Sequence, residues 1–299
     1  MESKPKAIAI VGQTASGKTS LSIKIAQKFN GEVISADSRQ VYTGMDLGTG
    51  KITKEEMLGI KHHLLDVRHP NDTYTAAEFE DDAAAALLDI ASKNKLPIVA
   101  GGTFFYLDLL RGRLQSAPVP PDQDFRDSLE TFSNQELFEK LAAADLERSN
   151  TIDRHNRHRL IRSLEIINTL GKVPPATKVE SSYDWLVLGI DIDKEQLHQN
   201  INIRLHERID AGMIEEVDRL HKAGVSFEKL ESFGLEYRYI SEFLQNKLSK
   251  EEMLIQLETK IRQFAKRQMT WLKRDSDIVW VKTDNLADIF EKIENFLHE

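Results

Sequence analysis

Apolar positions along the chain repeat with two periods. Near-continuous apolar runs at residues 7–11, 32–36, 96–100, 185–192 and 278–281, several rich in Val and Ile, predict buried strands. Another strand is predicted over His62-His63-Leu64-Leu65-Asp66-Val67, ahead of Pro70. Between these runs the spacing changes to that of a helix. Leu21, Ile25, Ala26 and Phe29 share a face over 20–29, Phe79, Ala83, Ala86, Leu87 and Ile90 share one over 76–92, and a helix begins at Phe104. Strand and helix alternate up to Leu110 with short connections, which predicts a parallel sheet with helices on both faces.

The alternation stops at Arg111 and resumes only at Trp185. The interval is bracketed by Ala117-Pro118-Val119-Pro120-Pro121 and Val173-Pro174-Pro175, with helical spacing at 122–131, 134–143 and 153–170. It reads as a helical insertion, 113–183, in an α/β core formed by 1–112 and 184–299. Beyond it, helices are predicted over 194–223, 237–246 and 249–273, and a last helix after the strand at 278–281.

Composition narrows the chemistry. The 299 residues include no cysteine, which excludes disulfides, thiolate catalysis and cysteine-based zinc sites. No apolar run approaches the ~20 residues of a membrane span, and the one before Gly12 is too short for a signal peptide. A cytoplasmic protein with no membrane partner is expected, with a monomer as the default. His62 and His63 are strand neighbours that point to opposite faces, so one metal cannot readily take both, and packing roles are expected.

The strongest local signal is Gly12-Gln13-Thr14-Ala15-Ser16-Gly17-Lys18-Thr19, set between the first strand and the first helix. This is a phosphate-binding loop (P-loop) in its required context. Its amides and the helix N-terminus attract phosphate oxygens, Lys18 supplies a point charge, and the Thr19 hydroxyl suits Mg2+. The second strand ends at Asp37-Ser38-Arg39-Gln40, on the edge where open α/β sheets place their ligands. Asp37 is either a turn residue or a general base beside the loop.

The net charge is −8, yet two stretches are strongly basic. A helical wheel places Arg154, His155, His158, Arg159 and Arg162 on one arc, with Leu160, Leu164 and Ile167 largely opposite. From Lys260 to Arg274 an apolar arc of Ile261, Phe264, Ala265, Trp271 and Leu272 faces an arc of Lys260, Arg262, Lys266, Arg267, Lys273 and Arg274. Two such stripes in an acidic chain favour a polyanionic partner over an ordinary solvated face.

In order along the chain, the P-loop, Ser35-Ala36-Asp37-Ser38-Arg39-Gln40-Val41-Tyr42, Met45-Asp46-Leu47-Gly48-Thr49, His62-His63-Leu64-Leu65-Asp66, Gly101-Gly102-Thr103, the run Arg159 to Glu165, and Arg262 to Trp271 resemble the bacterial tRNA dimethylallyltransferase family. The resemblance spans Ile8 to Trp271. Departures are Gln13 where the family usually has proline, Phe104-Phe105 in place of a smaller pair, and Asn200 where arginine is common. The resemblance implies transfer of a dimethylallyl group from dimethylallyl diphosphate to N6 of the adenosine 3′ of the anticodon.

By that resemblance, residues Gly12 to Thr19 would hold the diphosphate, with Mg2+ on Thr19 and charge from Lys18 and Arg204. The amine of adenine is a poor nucleophile, and a carboxylate can take its proton only as positive charge develops on nitrogen. Asp37 is assigned that role. Asp37, Ser38, Arg39 and Gln40 would meet the target nucleotide, flipped out of its loop, with Thr103 beside the channel. Arg126, His158, Arg159, Leu160, Ile161 and Arg162 of the insertion would embrace the anticodon stem-loop, and Arg262, Lys266 and Arg267 would contact its backbone. Competing readings are an adenylate isopentenyltransferase, a P-loop small-molecule kinase and a tRNA-binding module without catalysis.

Overall fold

A computed structural model describes residues 4–175 and 178–299; the first three residues of the amino-terminal stretch lie outside the described residues. The elements follow in order: β1 (Lys6–Val11), α1 (Lys18–Lys28), β2 (Gly31–Ser35), β3 (His62–His63), α2 (Ala76–Ser92), β4 (Leu96–Ala100), α3 (Phe104–Leu110), α4 (Gln123–Ser128), α5 (Asn134–Ala144), α6 (Leu146–Thr151) and α7 (Arg157–Leu170). Then come β5 (Asp184–Ile190), α8 (Lys194–Asp210), α9 (Met213–Lys222), α10 (Phe227–Ser232), α11 (Leu235–Leu244), α12 (Lys250–Leu272), β6 (Ile278–Val281) and α13 (Leu286–His298). The strands form one six-stranded sheet in the order β3-β2-β4-β1-β5-β6, and every pairing is parallel. This is the α/β class that the alternation predicts. No helix among the described residues is long and apolar enough to cross a membrane.

Strand β1 is central, and its alternation feeds two cores. Ile8 and Ile10 pack with Leu21 and Ile25 of α1 and with Ile289 and Ile293 of α13. Ala7, Ala9 and Val11 face the larger core, which takes in Phe79, Leu197, Leu205, Tyr237 and Ile261. Both faces of the sheet are therefore dry. The loops that can hold a ligand are left to its carboxyl edge.

Gly101 fixes the geometry of that edge. A Cβ there would lie 2.1 Å from the carbonyl oxygen of Ala36, whose residue also accepts from Thr103 N at 3.0 Å and donates to Ala100 O at 2.9 Å. Backbone on both sides cannot give way. Gly101→Ala is expected to destabilise the chain by about 3 kcal/mol or more, as read from chemical denaturation.

The chain divides into two compact units, Met1–Arg111 with Glu180–Glu299, and Gly112–Val179. The inserted unit ends earlier than the expected residue 183. Tyr183 belongs to the core of the sheet unit, and Ser181 donates to Leu110 O at 3.4 Å within that same unit.

Other local expectations change for identifiable reasons. The strand expected over 62–67 is only His62–His63, because Leu64 and Asp66 take positive φ of 62° and 56°. The single helix expected over 194–223 breaks at Gly212, whose φ of 100° starts α9 afresh. Helices α6 and α10 are too short for periodicity to show, although Asp145 and Ser226 cap them. Arg154 and His155 precede α7 rather than lying on it. Asn156 caps that helix by accepting from Arg159 N, and Asp153 accepts from His155 N at 3.0 Å to form the preceding turn.

Candidate active site

The P-loop leaves β1 at Gly12 and enters α1 at Lys18. Left-handed backbone at Ala15 (φ 60°) and Gly17 (φ 96°) bends it into a ring. A Cβ on Gly12 would stand 2.6 Å from Ser16 Oγ, so glycine makes room for that hydroxyl. Ser16 Oγ is buried without a protein partner and lines the cavity enclosed by the loop. The loop is also braced from behind. Gln13 Nε2 donates to Ala265 O at 2.8 Å, Thr14 N donates to Gln268 Oε1 at 2.8 Å, and Asn200 Nδ2 donates to Ala15 O at 3.1 Å.

Lys18 Nζ donates to the carbonyls of Gly12 and Gln13 at 3.0 and 2.8 Å. Burial pulls its pKa down to about 8, with Asp37 opposing and Arg204 adding to the fall. Lys18 therefore carries its charge below about pH 8 and loses it above. Compared with Lys18→Arg, whose cation does not titrate there, the wild type is expected to lose pyrophosphate affinity progressively above that pH. Calorimetry on both proteins across the range checks it, the ratio cancelling the titration of the ligand itself.

The cavity has a volume of about 1150 Å³ and is lined by Thr14 to Thr19, Asp37, Gln40, Gly50 and Arg204, among others. Asp37 Oδ1 accepts from Arg39 N at 2.9 Å. Gly102 presents no side chain to Asp37 Oδ2, which would lie 3.6 Å from a Cβ there. Gln40 accepts from Ser35 Oγ at 3.0 Å and donates to Gly50 O at 3.3 Å. Ser38 N donates to Thr103 Oγ1 at 3.0 Å, tying the loop after β2 to the loop after β4. Arg39 instead donates to Ser232 O at 3.3 Å, with its guanidinium 5.8 Å from the centre of the Phe233 ring.

Helix α8 contributes Asn200, Ile203, Arg204 and Arg208 to the cavity wall. Burial, and then the neighbouring Arg208, lower the Arg204 pKa to about 10, still a cation at neutral pH. A second support lies further out. The buried carboxylate of Glu216 accepts from Asp46 N, Leu47 N and Gly48 N at 2.9, 2.7 and 3.0 Å and from the Tyr237 hydroxyl at 2.8 Å. The loop that brings Thr49 and Gly50 to the cavity is therefore rigidly seated.

The histidines settle into packing roles. His63 Nε2 lies 2.7 Å from Glu32 Oε2, and His62 Nδ1 lies 3.0 Å from Ile60 O. Glu32, His63 and Asp89 approach closely enough to share a cation, but Lys95 at 2.8 Å and Lys93 at 2.5 Å already neutralise the two carboxylates.

Several residues expected to contact RNA have structural partners within the inserted unit. Leu160 and Ile161 are corrected outright: both are buried in the core of that unit with Leu137, Leu141 and Leu164, so they offer no contact surface. Arg126 donates to both oxygens of Glu165 at 2.8 and 3.0 Å, and Arg162 also pairs with Glu165. His158 and Arg159 are exposed. On α12, Lys266 and Arg267 are exposed and Arg262 pairs with Glu258. Phe264, expected on the buried arc, is 39% exposed under the Arg267 guanidinium, and Gln268 takes the core-facing place.

Sequence reasoning passed over Gln268, Glu216, Arg208 and Glu236. A signal existed for the first two. Gln268 follows Ile261 and Ala265 at helical spacing, and Glu216 sits among Met213, Val217 and Leu220, so each is a polar residue at a core position. Such a residue is buried only with a partner.

A glycine-bounded ring between the central parallel strand and its helix, with a lysine, an arginine and a free hydroxyl turned to one cavity, defines a phosphate-binding P-loop α/β protein. The IPP transferase family model matches residues 40–275. A tRNA dimethylallyltransferase of Shouchella clausii is 38% identical over 97% of this chain and 96% of its own length. Among solved structures, a tRNA delta(2)-isopentenylpyrophosphate transferase from Staphylococcus epidermidis is 35% identical, with a TM-score of 0.71 over 98% of this chain and 99% of its own. A eukaryotic dimethylallyltransferase acting on tRNA is 29% identical, with a TM-score of 0.79 over 93% of this chain and 74% of its own. The chain belongs to the IPP transferase family, whose members are prenyl-transferring enzymes.

Proposed function

We propose that the chain transfers the dimethylallyl group of dimethylallyl diphosphate to N6 of the adenosine 3′ of the anticodon in tRNA, in the cytoplasm, releasing diphosphate. The observation that carries this reading is one cavity lined together by the P-loop, Arg204 and the Asp37 carboxylate. In the reaction N6 bonds to C1 of the allyl group as the C1–O bond breaks, the electron pair leaves with the diphosphate, and the N6 proton passes to Asp37. The loop amides, Lys18 and Arg204 are charges already in place where negative charge builds on the leaving group. The exposed Thr19 hydroxyl and the unpartnered Ser16 hydroxyl on the same cavity are hard oxygen donors, which fits a Mg2+–diphosphate. Thr19 would hold the ion, which supplies further positive charge to the departing diphosphate.

An acceptor assay tests the proposal. Purified protein is incubated with labelled dimethylallyl diphosphate and, separately, unmodified tRNA, AMP or ATP. Label in tRNA, found by mass spectrometry as an isopentenyl unit on adenosine, is the expected result. Label confined to AMP or ATP would make the chain an adenylate isopentenyltransferase, and phosphoryl transfer from ATP without label would make it a kinase.

A further inference from the structure

Arg208 and Glu236 form a charged pair that the reaction described above does not use. Arg208 stands one helical turn beyond Arg204 on α8, and Asn200 one turn before it. All three line the cavity that holds the P-loop, so α8 offers a single row of positions, 200, 204 and 208, to the phosphate side of the site. Arg208 lies 4.0 Å from Glu236 Oε1, their side chains being 19% and 22% exposed. Arg204, Arg208 and Glu236 also border a small pocket of about 20 Å³ that Thr14 and Ala15 line as well.

Gly50 shows how closely the guanidiniums approach the cavity loop. A Cβ there would lie 1.8 Å from Arg208 Nη2 and 3.1 Å from Arg204 Nη2, at a φ of 62° that already favours glycine. Two guanidiniums are thus gathered beside one loop at the rim of the P-loop. A diphosphate has two phosphoryl groups, and one guanidinium forks bidentately onto one of them. Two like charges on a poorly hydrated wall need an anion beside them, and Glu236 is that anion. At 4.0 Å the pair is longer than a hydrogen bond, so Arg208 can turn to a phosphoryl oxygen without breaking a tight contact.

We propose that Arg208 is a second diphosphate-binding guanidinium beside Arg204, and that Glu236 is the counter-ion from which the incoming diphosphate takes it. The proposal rests on the prenyl-transfer reading for the identity of the ligand. Burial raises the Glu236 pKa while Arg208 opposes the rise, as expected of a carboxylate whose charge depends on that partner.

Inorganic pyrophosphate is the probe, titrated calorimetrically into the full chain with Mg2+ present. Arg208→Gln is expected to weaken its binding by about 10- to 100-fold, with tRNA affinity unchanged. Adding Asn200→Arg to that variant returns a guanidinium to the same row and, measured against Asn200→Arg alone as the control for the lost bond to Ala15 O, is expected to recover most of the loss, which a merely structural role for Arg208 would not allow. Glu236→Gln removes the competitor for Arg208 and is expected to bind pyrophosphate severalfold more tightly, lowering both KM for dimethylallyl diphosphate and kcat. Should Arg208→Gln fail to fold, Arg208→Lys keeps the charge without the fork and is expected to bind with intermediate affinity. Wild-type affinity in the Arg208 variants, or no recovery in the double variant, overturns the ligand role. Unchanged or weaker affinity in Glu236→Gln overturns the counter-ion role. A wild-type protein that binds pyrophosphate but prenylates no tRNA overturns the proposed reaction and leaves this site standing.

Discussion

Asp37→Asn is expected to lower kcat for prenyl transfer by about 10²- to 10⁴-fold while the Kd for tRNA stays within a few-fold. The carboxylate and the amide have the same shape. Asp37 Oδ1 accepts from Arg39 N, and an asparagine carbonyl can keep that bond, so the turn after β2 survives the substitution. What is lost is the acceptor for the N6 proton, needed only as the new C–N bond forms. The effect therefore falls on kcat, with substrate binding largely spared. Single-turnover rates with pre-bound tRNA, measured beside equilibrium tRNA binding, separate the two. Unchanged turnover would remove Asp37 from the chemistry.

The second large effect concerns stability in the inserted unit. Glu165 is fully buried, accepts two bonds from Arg126 and one from Asp122 N at 2.8 Å, and pairs with Arg162. Burial alone would raise its pKa, but Arg126, the Asp122 amide and Arg162 together hold it at about 2, below the usual 4.5. Glu165→Ala strips the partner from two guanidiniums and a backbone amide, and is expected to cost about 3–5 kcal/mol. The sign of the pH dependence follows from the same shift. A carboxylate whose pKa is depressed on folding adds stability above the unfolded value, and that stability is lost as pH falls from 4.5 towards 2. Thermal unfolding followed from neutral to acid pH is expected to lose this acid-sensitive component in the variant. A variant as stable as the wild type would contradict the account.

These residues also mark where the sequence stopped being legible. Arg162 read as a cation for RNA because a helical wheel shows charge without showing partners, and Arg126 because the family resemblance implies that contact. Glu165 lies three residues beyond Arg162 and 39 beyond Arg126, and only the second separation is invisible to local pattern. The P-loop was legible because its chemistry is local, being built from glycines, a lysine and a threonine in one run. Asp37 could be placed at the sheet edge because it ends a strand. Arg208 and Glu236 meet only because α8 and α11 both pack on α9 and α12, and nothing in either stretch announces the other. The strand that ended early at His63 shows a further limit, since Leu64 carries no mark of its left-handed backbone.

Helix α12 turns two Gln–backbone bonds inward to the P-loop through Ala265 and Gln268, and bears exposed Lys266 and Arg267 outward. One helix thus joins an exposed basic exterior to the back of the P-loop. An RNA that bears on those cations, as the proposed function expects, and moves the helix would change the affinity of the loop for diphosphate. Any such coupling would be equal in both directions.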